Sequence, residues 1–212
     1  YVEHRDLHSF PTRRSSDLLG HKIKEHVGAA DRDLRIDFVE EAKELGTAGA
    51  LSLLDPRPGR SFIVMNADLL TDMDFKSLHR FHSKERNDFS VCVRRHKETV
   101  PFGVITLDQD SRSIKEVAEK PEHEFLVNAG IYMLEPHIID LIPKDSPFDM
   151  VSLIKKAISC GLKVGAFPIY EYWRDIGRHE EMEAASLELS KRAANTDGDR
   201  KSTRLNSSHR IR

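Results

Sequence analysis

Apolar runs of strand length alternate with segments of helical spacing through the middle of the chain. Largely apolar runs occupy residues 61–66, 89–93, 129–135 and 163–169, and short candidate strands occupy residues 103–108 and 114–119. Residues 74–85 and 149–161 favour helices instead, because Asp74 and Asp149 can cap their first turns and Gly161 can end the second. A last helix is predicted at residues 179–194.

Strands separated by helices predict an α/β fold with a mostly parallel, mixed sheet. The short strands between Val100 and Leu134 are expected to form a small antiparallel extension. The helix at residues 149–161 is predicted to bury one apolar face. That face contains Met150, Leu153, Ile154, Ala157 and Ile158.

The two ends of the chain lack both periodicities. Residues 4–18 translate one frame of a DNA sequence that resembles a sequencing-library adapter, and residues 199–209 translate one that resembles the adapter at the opposite end of a read. We therefore predict that residues 1–18 and 199–212 are non-native segments. Residues 19–198 are expected to form one natural domain.

Composition disfavours several classes of function. The chain has 33 Lys and Arg, 35 Asp and Glu and a formal net charge of −2, and its adapter-like ends hold an excess of basic residues. The remaining region is more acidic, which disfavours nucleic acid or a membrane as a partner. No run of about 18 apolar residues is present. Cys92 and Cys160 are both predicted to be buried thiols, and a cytoplasmic protein is expected.

Two carboxylates stand at the ends of apolar segments. Asp68 follows the strand "FIVMN", and Asp175 follows an apolar segment in "YWRDIGR" and precedes a predicted helix. Because ligands bind beyond the carboxyl ends of strands in open α/β sheets, these acids are candidates for one Mg²⁺ site. Each acid alone is more simply explained as a turn or capping residue.

Further candidates surround glycines. In "ELGTAGALSLL", Gly46 and Gly49 let the backbone approach a flat or charged ligand, and the following helix start favours acceptors; an ordinary glycine turn is the alternative. In "AEKPEHEF", Lys120 can neutralise a phosphate, although a solvated edge charge is the simpler interpretation. Glycine in "VPFGV" and in "VNAGIY" permits close backbone approach or makes a bulge.

Taken together, "ELGTAGAL", "FIVMNADLLTD", "VPFGV", "EKP", "VNAGIYML" and "YWRDIGR" resemble, in order and spacing, the motifs of the sugar-nucleotide pyrophosphorylases. These enzymes are sugar-1-phosphate nucleotidyltransferases. The resemblance covers about residues 19–194 and looks closest to bacterial members that carry paired CBS domains. It implies a three-layer, Rossmann-like nucleotidyltransferase fold. It also implies Mg²⁺-dependent reaction of a nucleoside triphosphate with a sugar 1-phosphate, and it leaves the base, the sugar and homo-oligomer formation open.

The resemblance implies a role for each matching residue. Asp68 and Asp175 correspond to the metal-binding acids, and Lys120 corresponds to the catalytic lysine that contacts the sugar phosphate. The implied sugar-binding positions are Gly103, Glu119, Asn128 and Gly130. The implied nucleobase-reading wall consists of Glu41, Leu45, Gly46, Thr47, Ala48 and Gly49.

The glycine-rich phosphate loop of the form G-G-x-G-T-R-L, with which the family begins, is not in this chain. The chain as written is therefore expected to lack its first strands and to be inactive and poorly folded.

Two alternatives remain at this stage. A metal-dependent glycosyltransferase also uses an Asp-x-Asp motif, and Asp72-Met73-Asp74 has that form, although Asp74 is better explained as a helix cap. A non-catalytic regulatory subunit that binds sugar nucleotides is the other. The joint presence of Asp68, Lys120 and Asp175 argues against it.

Overall fold

The computed structural model describes residues 22, 24–25, 36–109, 112–177 and 181–188. The adapter-like segments 1–18 and 199–212 lie outside these residues, as do most of residues 19–35 and the end of the last predicted helix. Two compact units are formed, one within Tyr1–Met65 and Asp74–Tyr170 and the other within Asn66–Met73 and Glu171–Arg212.

The strands are β1 (Phe62–Met65), β2 (Leu69–Thr71), β3 (Phe89–Thr99), β4 (Gly103–Leu107), β5 (Ile114–Glu119), β6 (Glu122–Leu134), β7 (Val164–Pro168) and β8 (Trp173–Asp175). The helices are α1 (Gly46–Gly49), α2 (Phe75–Glu85) and α3 (Met150–Ser159), with 3₁₀ turns at Ala50–Leu53 and Pro136–Leu141. Residues 181–188 are also helical.

The first unit contains a four-stranded sheet in the order β1-β6-β3-β7. Strand β6 runs antiparallel to both β1 and β3, whereas β3 and β7 are parallel. Three of these four strands therefore share one direction. The predicted mixed α/β sheet is confirmed.

Helices cover both faces of this sheet. Because side chains alternate along a strand, Phe89 and Val91 of β3 point to one face, where they join a buried cluster with Tyr132, Leu134 and α3. Helix α2 lies against the other face, and its Phe81 ring is 5.4 Å from the ring of Phe167. The described part of the first unit thus has three layers.

Capping residues begin both long helices. Asp74 accepts the backbone N–H of Lys76 at 2.9 Å, and Asp149 accepts that of Ser152 at 2.6 Å. Both predicted caps are confirmed. The predicted buried face of α3 is partly wrong, because Ile158 is 58% exposed. It lies about 100° around the helix from Ala157, at the edge of the apolar stripe.

A buried polar network joins α2 to the ends of β3 and β6. His82 is 1% exposed, with Nδ1 2.8 Å from Ser90 Oγ and Nε2 3.2 Å from Glu135 Oε1. Asn87 donates to Ser90 Oγ at 3.0 Å, and Ser61 donates to Glu135 Oε1 at 2.7 Å. Each of these polar groups therefore has a partner within the network.

The predicted antiparallel extension is confirmed. Strands β4 and β5 form a two-stranded hairpin, and the outer halves of β3 and β6 continue as a paired arm. Cys92 is buried as predicted, but Cys160 is exposed, which corrects the prediction for that thiol. It follows the last turn of α3 instead of facing the core. In the described ranges, no helix is long and apolar enough to cross a membrane.

Candidate functional site

The two candidate metal acids lie together in the second unit. Strands β2 and β8 pair antiparallel, with Leu69 opposite Asp175, and Asp68 immediately precedes β2. The Ile176 N–H donates to the Asp68 carbonyl at 2.8 Å. This short ribbon fixes the backbone of both acids side by side.

The two carboxylates approach one point beside Gly177. A Cβ placed on Gly177 would lie 3.0 Å from Asp68 Oδ2 and 3.1 Å from Asp175 Oδ1. The Gly177 N–H also donates to Asp175 Oδ1 at 2.9 Å, which orients that carboxylate. Both acids are solvent-exposed, so a ligand can reach them.

This pair suits Mg²⁺, which binds one or two carboxylates and completes its octahedron with water and phosphate oxygens. No group of three or more His, Cys, Asp or Glu side chains able to hold a metal occurs among the residues that the structure describes. Within the described residues, the two aspartates would be the protein donors of such a site. Phosphate and water would supply the remaining ligands.

Asp175 ends a short strand that the sequence pattern does not indicate. It is the last residue of β8, which pairs with β2 and not with a strand of the main sheet. Neither three-residue strand was predicted. Arg174, which the sequence reasoning missed, supports the ribbon by binding Glu181 at 3.1 Å and Glu188 at 3.0 Å.

In the Asp72-Met73-Asp74 segment, the second acid serves as the cap of α2. The Asp74 carboxylate accepts the Lys76 N–H and the Ser77 hydroxyl at the start of α2, and the Ser77 contact lowers its pKa. Met73 is buried between the two acids of the motif. The interpretation of Asp74 as a helix cap is confirmed.

The predicted nucleobase loop is held by the segment before α3. Ala48 and Gly49 donate their N–H groups to the Phe148 carbonyl at 3.0 and 3.1 Å, and the Phe148 N–H donates to the Leu45 carbonyl at 2.7 Å. Gly46 has φ +74°, and a Cβ there would lie 2.8 Å from the Phe148 oxygen. The close approach that Gly46 permits is therefore to the Phe148 carbonyl of the same chain.

This arrangement limits the hydrogen-bond donors that the loop can offer a ligand. The helix start that follows the loop is predicted to favour an acceptor on the ligand, but the N–H groups of Ala48 and Gly49 within the loop already donate to Phe148. Thr47 is also engaged, since its Oγ1 accepts the Met150 N–H at 2.9 Å. The loop is better suited to present a shaped wall than to bind an anion.

Glu41 carries a carboxylate oxygen that lacks a hydrogen bond. Its Oε2 accepts the Leu45 N–H at 3.1 Å, whereas its Oε1 is buried and has no hydrogen-bond partner among the residues that the structure describes. A buried, unsatisfied oxygen costs free energy unless a ligand donates to it. Within the predicted wall, Glu41 is thus placed to accept a hydrogen bond from a donor group on a ligand.

The predicted sugar-binding residues occur in pairs in the first unit. Gly103 lies opposite Glu119 across the β4–β5 ladder, and a Cβ on Gly103 would lie 3.3 Å from Glu119 Oε2. Lys120 follows with φ +46°, a left-handed conformation, directly before Pro121. Such backbone strain in a non-glycine residue is often associated with functional sites.

Asn128 and Gly130 shape a bulge in β6. The pairing of β3 with β6 shifts between Val91 and Val93 at this position, and Gly130 has φ +70°. The Asn128 side chain accepts the Gly130 N–H at 3.0 Å and donates to the Tyr132 hydroxyl at 2.7 Å. Both amide atoms are therefore used within the strand, although each keeps some bonding capacity.

Comparison with known proteins identifies the family of the chain. The family description "Nucleotidyl transferase" matches residues 15–192. The chain belongs to this family. The family match and its relatives place it among the sugar-phosphate nucleotidyltransferases, which confirms the resemblance that its motifs indicated.

Its curated relatives include guanylyltransferases from eukaryotes. A probable mannose-1-phosphate guanylyltransferase 3 of Arabidopsis thaliana is 29% identical over 156 residues, which are 70% of this chain and 46% of that protein. A mannose-1-phosphate guanylyltransferase catalytic subunit beta of Drosophila pseudoobscura pseudoobscura is 31% identical over 164 residues, or 73% and 43% of the two chains. The chain thus spans less than half the length of these relatives. The narrower resemblance to bacterial members stays a prediction.

Solved structures support the fold. HddC from Yersinia pseudotuberculosis is 24% identical, with a TM-score of 0.56 over 80% of this chain and 73% of that one. The same protein in complex with GMP-PN gives a TM-score of 0.56 at 22% identity, over 80% and 74% of the chains. A putative glucose-1-phosphate thymidylyltransferase from Bacillus anthracis gives 0.58 at 18% identity, over 79% and 70%.

Proposed function

We propose that the protein transfers a nucleotidyl group from a nucleoside triphosphate to a sugar 1-phosphate and releases pyrophosphate. An oxygen of the sugar phosphate forms a bond to the α-phosphorus, and the bond from that phosphorus to the bridging oxygen of pyrophosphate breaks. The carrying observation is the approach of Asp68 and Asp175 to one point in a member of this family.

The reaction needs no general base, because the attacking phosphate oxygen is already anionic. Its barrier comes from charge repulsion and orientation, which fixed charges can lower. Asp68 and Asp175 would hold Mg²⁺, which neutralises phosphate charge when bound. Lys120 would bind the sugar phosphate, and Glu119 would accept hydrogen bonds from sugar hydroxyls.

Guanine is the base that we propose for the triphosphate. An ionised carboxylate oxygen can only accept hydrogen bonds, and guanine presents two adjacent donors, an imino N–H and an amino group, on one edge. The buried Oε1 of Glu41, which has no hydrogen-bond partner in the described part of the chain, supplies such an acceptor. The guanylyltransferase relatives support the same choice.

The test measures pyrophosphate release with Mg²⁺, five nucleoside triphosphates and several sugar 1-phosphates. Two proteins are compared: the chain itself, and a chimera whose residues 1–18 are replaced by the N-terminal segment of a guanylyltransferase relative. Turnover that is fastest with GTP supports the proposal, and Glu41→Gln should reduce the preference for GTP. A protein that binds nucleotides but turns over none of the substrate pairs would instead support the regulatory-subunit alternative.

A further inference from the structure

Hydrogen bonds join the nucleobase loop, residues 45–49, to the segment before α3, which is about 100 residues away in the sequence. We call this arrangement the clasp. We define the clasp by three backbone bonds and one side-chain bond. Ala48 and Gly49 donate to the Phe148 carbonyl, and Phe148 donates to the Leu45 carbonyl. Thr47 Oγ1 accepts the Met150 N–H at 2.9 Å.

The clasp connects to Glu41 through Leu45. The Leu45 carbonyl accepts the Phe148 N–H at 2.7 Å, while its own N–H donates to Glu41 Oε2 at 3.1 Å. Leu45 is only 3% exposed, so this peptide unit cannot move without disturbing packed side chains. The position of the unpaired Glu41 oxygen therefore depends on where Phe148 holds Leu45.

We propose that Thr47 is a positioning residue for base selection, acting through the clasp instead of contacting the base. The inference rests on the proposed function, because it assigns Glu41 to the base. Thr47 holds Met150, the first residue of α3, whose cap Asp149 directly follows Phe148. This bond ties the loop to a rigid helix, which fixes the direction in which Glu41 Oε1 points.

Substitutions at Thr47 separate the effect of its hydroxyl group from the effect of its side-chain shape. Thr47→Val keeps the branched side chain but removes the acceptor for the Met150 N–H, whereas Thr47→Ser keeps the hydroxyl. Ser159→Ala is the matched control, since it removes a side-chain bond to the Lys156 carbonyl at the opposite end of α3.

Two measurements test the proposal. Hydrogen exchange on the 212-residue chain should be faster for the amides of residues 45–49 in Thr47→Val, and unchanged in Thr47→Ser and Ser159→Ala. The ratio of kcat/KM for GTP to that for ATP should fall about three- to tenfold in Thr47→Val, as loss of one neutral hydrogen bond predicts. This ratio is measured in whichever parent protein, chain or chimera, turns over. The KM for the sugar 1-phosphate should not change.

Faster exchange with an unchanged GTP preference would overturn the positioning role. A changed preference without faster exchange would assign Thr47 to direct contact with the base and would also overturn it. If neither parent turns over any substrate pair, the proposed function is wrong, and the proposed role of Thr47 in base selection is wrong as well. The exchange data then still decide whether Thr47 secures the clasp.

Discussion

The carboxylates of Asp68 and Asp175 converge on one point beside Gly177, within a ribbon of two three-residue strands. Each strand alone is too short to be stable, so the geometry of the pair depends on the ladder. Gly177 leaves open the space that the two oxygens face. Its lack of a side chain is therefore a property of the candidate metal site.

We expect Gly177→Ala to weaken binding of Mn²⁺, a spectroscopic substitute for Mg²⁺, without removing a ligand. The new methyl group would meet carboxylate oxygens at 3.0 and 3.1 Å. Displacing oriented ligands typically lowers metal affinity about 10- to 100-fold. Electron paramagnetic resonance of the chain titrated with Mn²⁺ measures the change, and Asp68→Asn should show at least as large a loss.

Asp74→Ala is the control for this metal prediction. It removes a carboxylate that caps α2 and should lower helix stability while leaving Mn²⁺ affinity unchanged. Loss of Mn²⁺ binding in Asp74→Ala, with retention in Asp68→Asn, would favour the glycosyltransferase alternative.

Substitutions at Lys120 should affect stability and substrate binding in different ways. Its φ of +46° is unfavourable for a side chain with a Cβ, so Lys120→Gly should be more stable to urea than Lys120→Ala by about 1 kcal/mol. Both variants should raise the KM for the sugar 1-phosphate far more than the KM for the triphosphate. Equal increases in the two KM values would contradict the assignment to the sugar phosphate.

Glu119 should determine which sugars are used. Glu119→Gln keeps the size of the side chain but replaces one acceptor oxygen with a donor, which is expected to reduce discrimination among sugar 1-phosphates. Gly103→Ala should act in the same direction, because its Cβ would lie 3.3 Å from the Glu119 carboxylate. Competition between two sugar 1-phosphates measures the ratio. An unchanged ratio in both variants would argue against this role.

The buried His82 network should make stability depend on pH. Burial lowers the pKa of His82, and the nearby Glu135 opposes the shift only in part. Because the folded-state pKa lies below the unfolded value of about 6.5, the contribution to the free energy of unfolding is complete above that pH. It is lost as the pH falls through the folded-state pKa.

Urea unfolding at about pH 7.5 and pH 5 measures this effect. The free energy of unfolding should fall more in the parent chain than in His82→Gln. His96→Gln, at an exposed position on β3, should behave like the parent. Identical pH dependence in the parent and His82→Gln would show that the network does not titrate.

The two cysteines should differ in reactivity. Burial raises the pKa of the Cys92 thiol to about 12, so almost no thiolate is present near neutral pH. Cys160 is exposed. The native chain should therefore react rapidly with an aromatic disulfide reagent only at Cys160, and urea should expose Cys92. Rapid labelling of Cys92 in the native chain would contradict its burial.

Sequence predicted the elements whose signals are local. The Asp74 and Asp149 caps and the apolar halves of β3 and β6 were found because capping chemistry and apolar runs act within a few residues. The outer, more exposed halves of these two strands, residues 94–99 and 122–128, were not predicted as strand. The burial of Ile158 was wrong, because helical spacing gives the direction of a face but not its width. A three-residue strand such as β2 has too few positions to show a period.

Contacts between distant residues could not be predicted in the same way. The Thr47–Met150 bond joins positions 103 residues apart, and nothing in either local sequence indicates the other. The family motifs identified candidate acids but not the ribbon that joins them. The left-handed Lys120 was equally hidden, since a lysine before proline ordinarily favours extended backbone.

The β2–β8 ribbon also sets an order of events during synthesis. Thr71 and its hydrogen-bond partner Tyr172 are 101 residues apart, and ribosomes add about 5–20 residues per second. Strand β8 therefore leaves the ribosome roughly 5–20 s after β2. Throughout that interval Asp68 has no ribbon partner, whereas β1, β3, β6 and β7 are all made before β8. Synthesis that stops before Trp173 yields the strands of the main sheet without the paired acids.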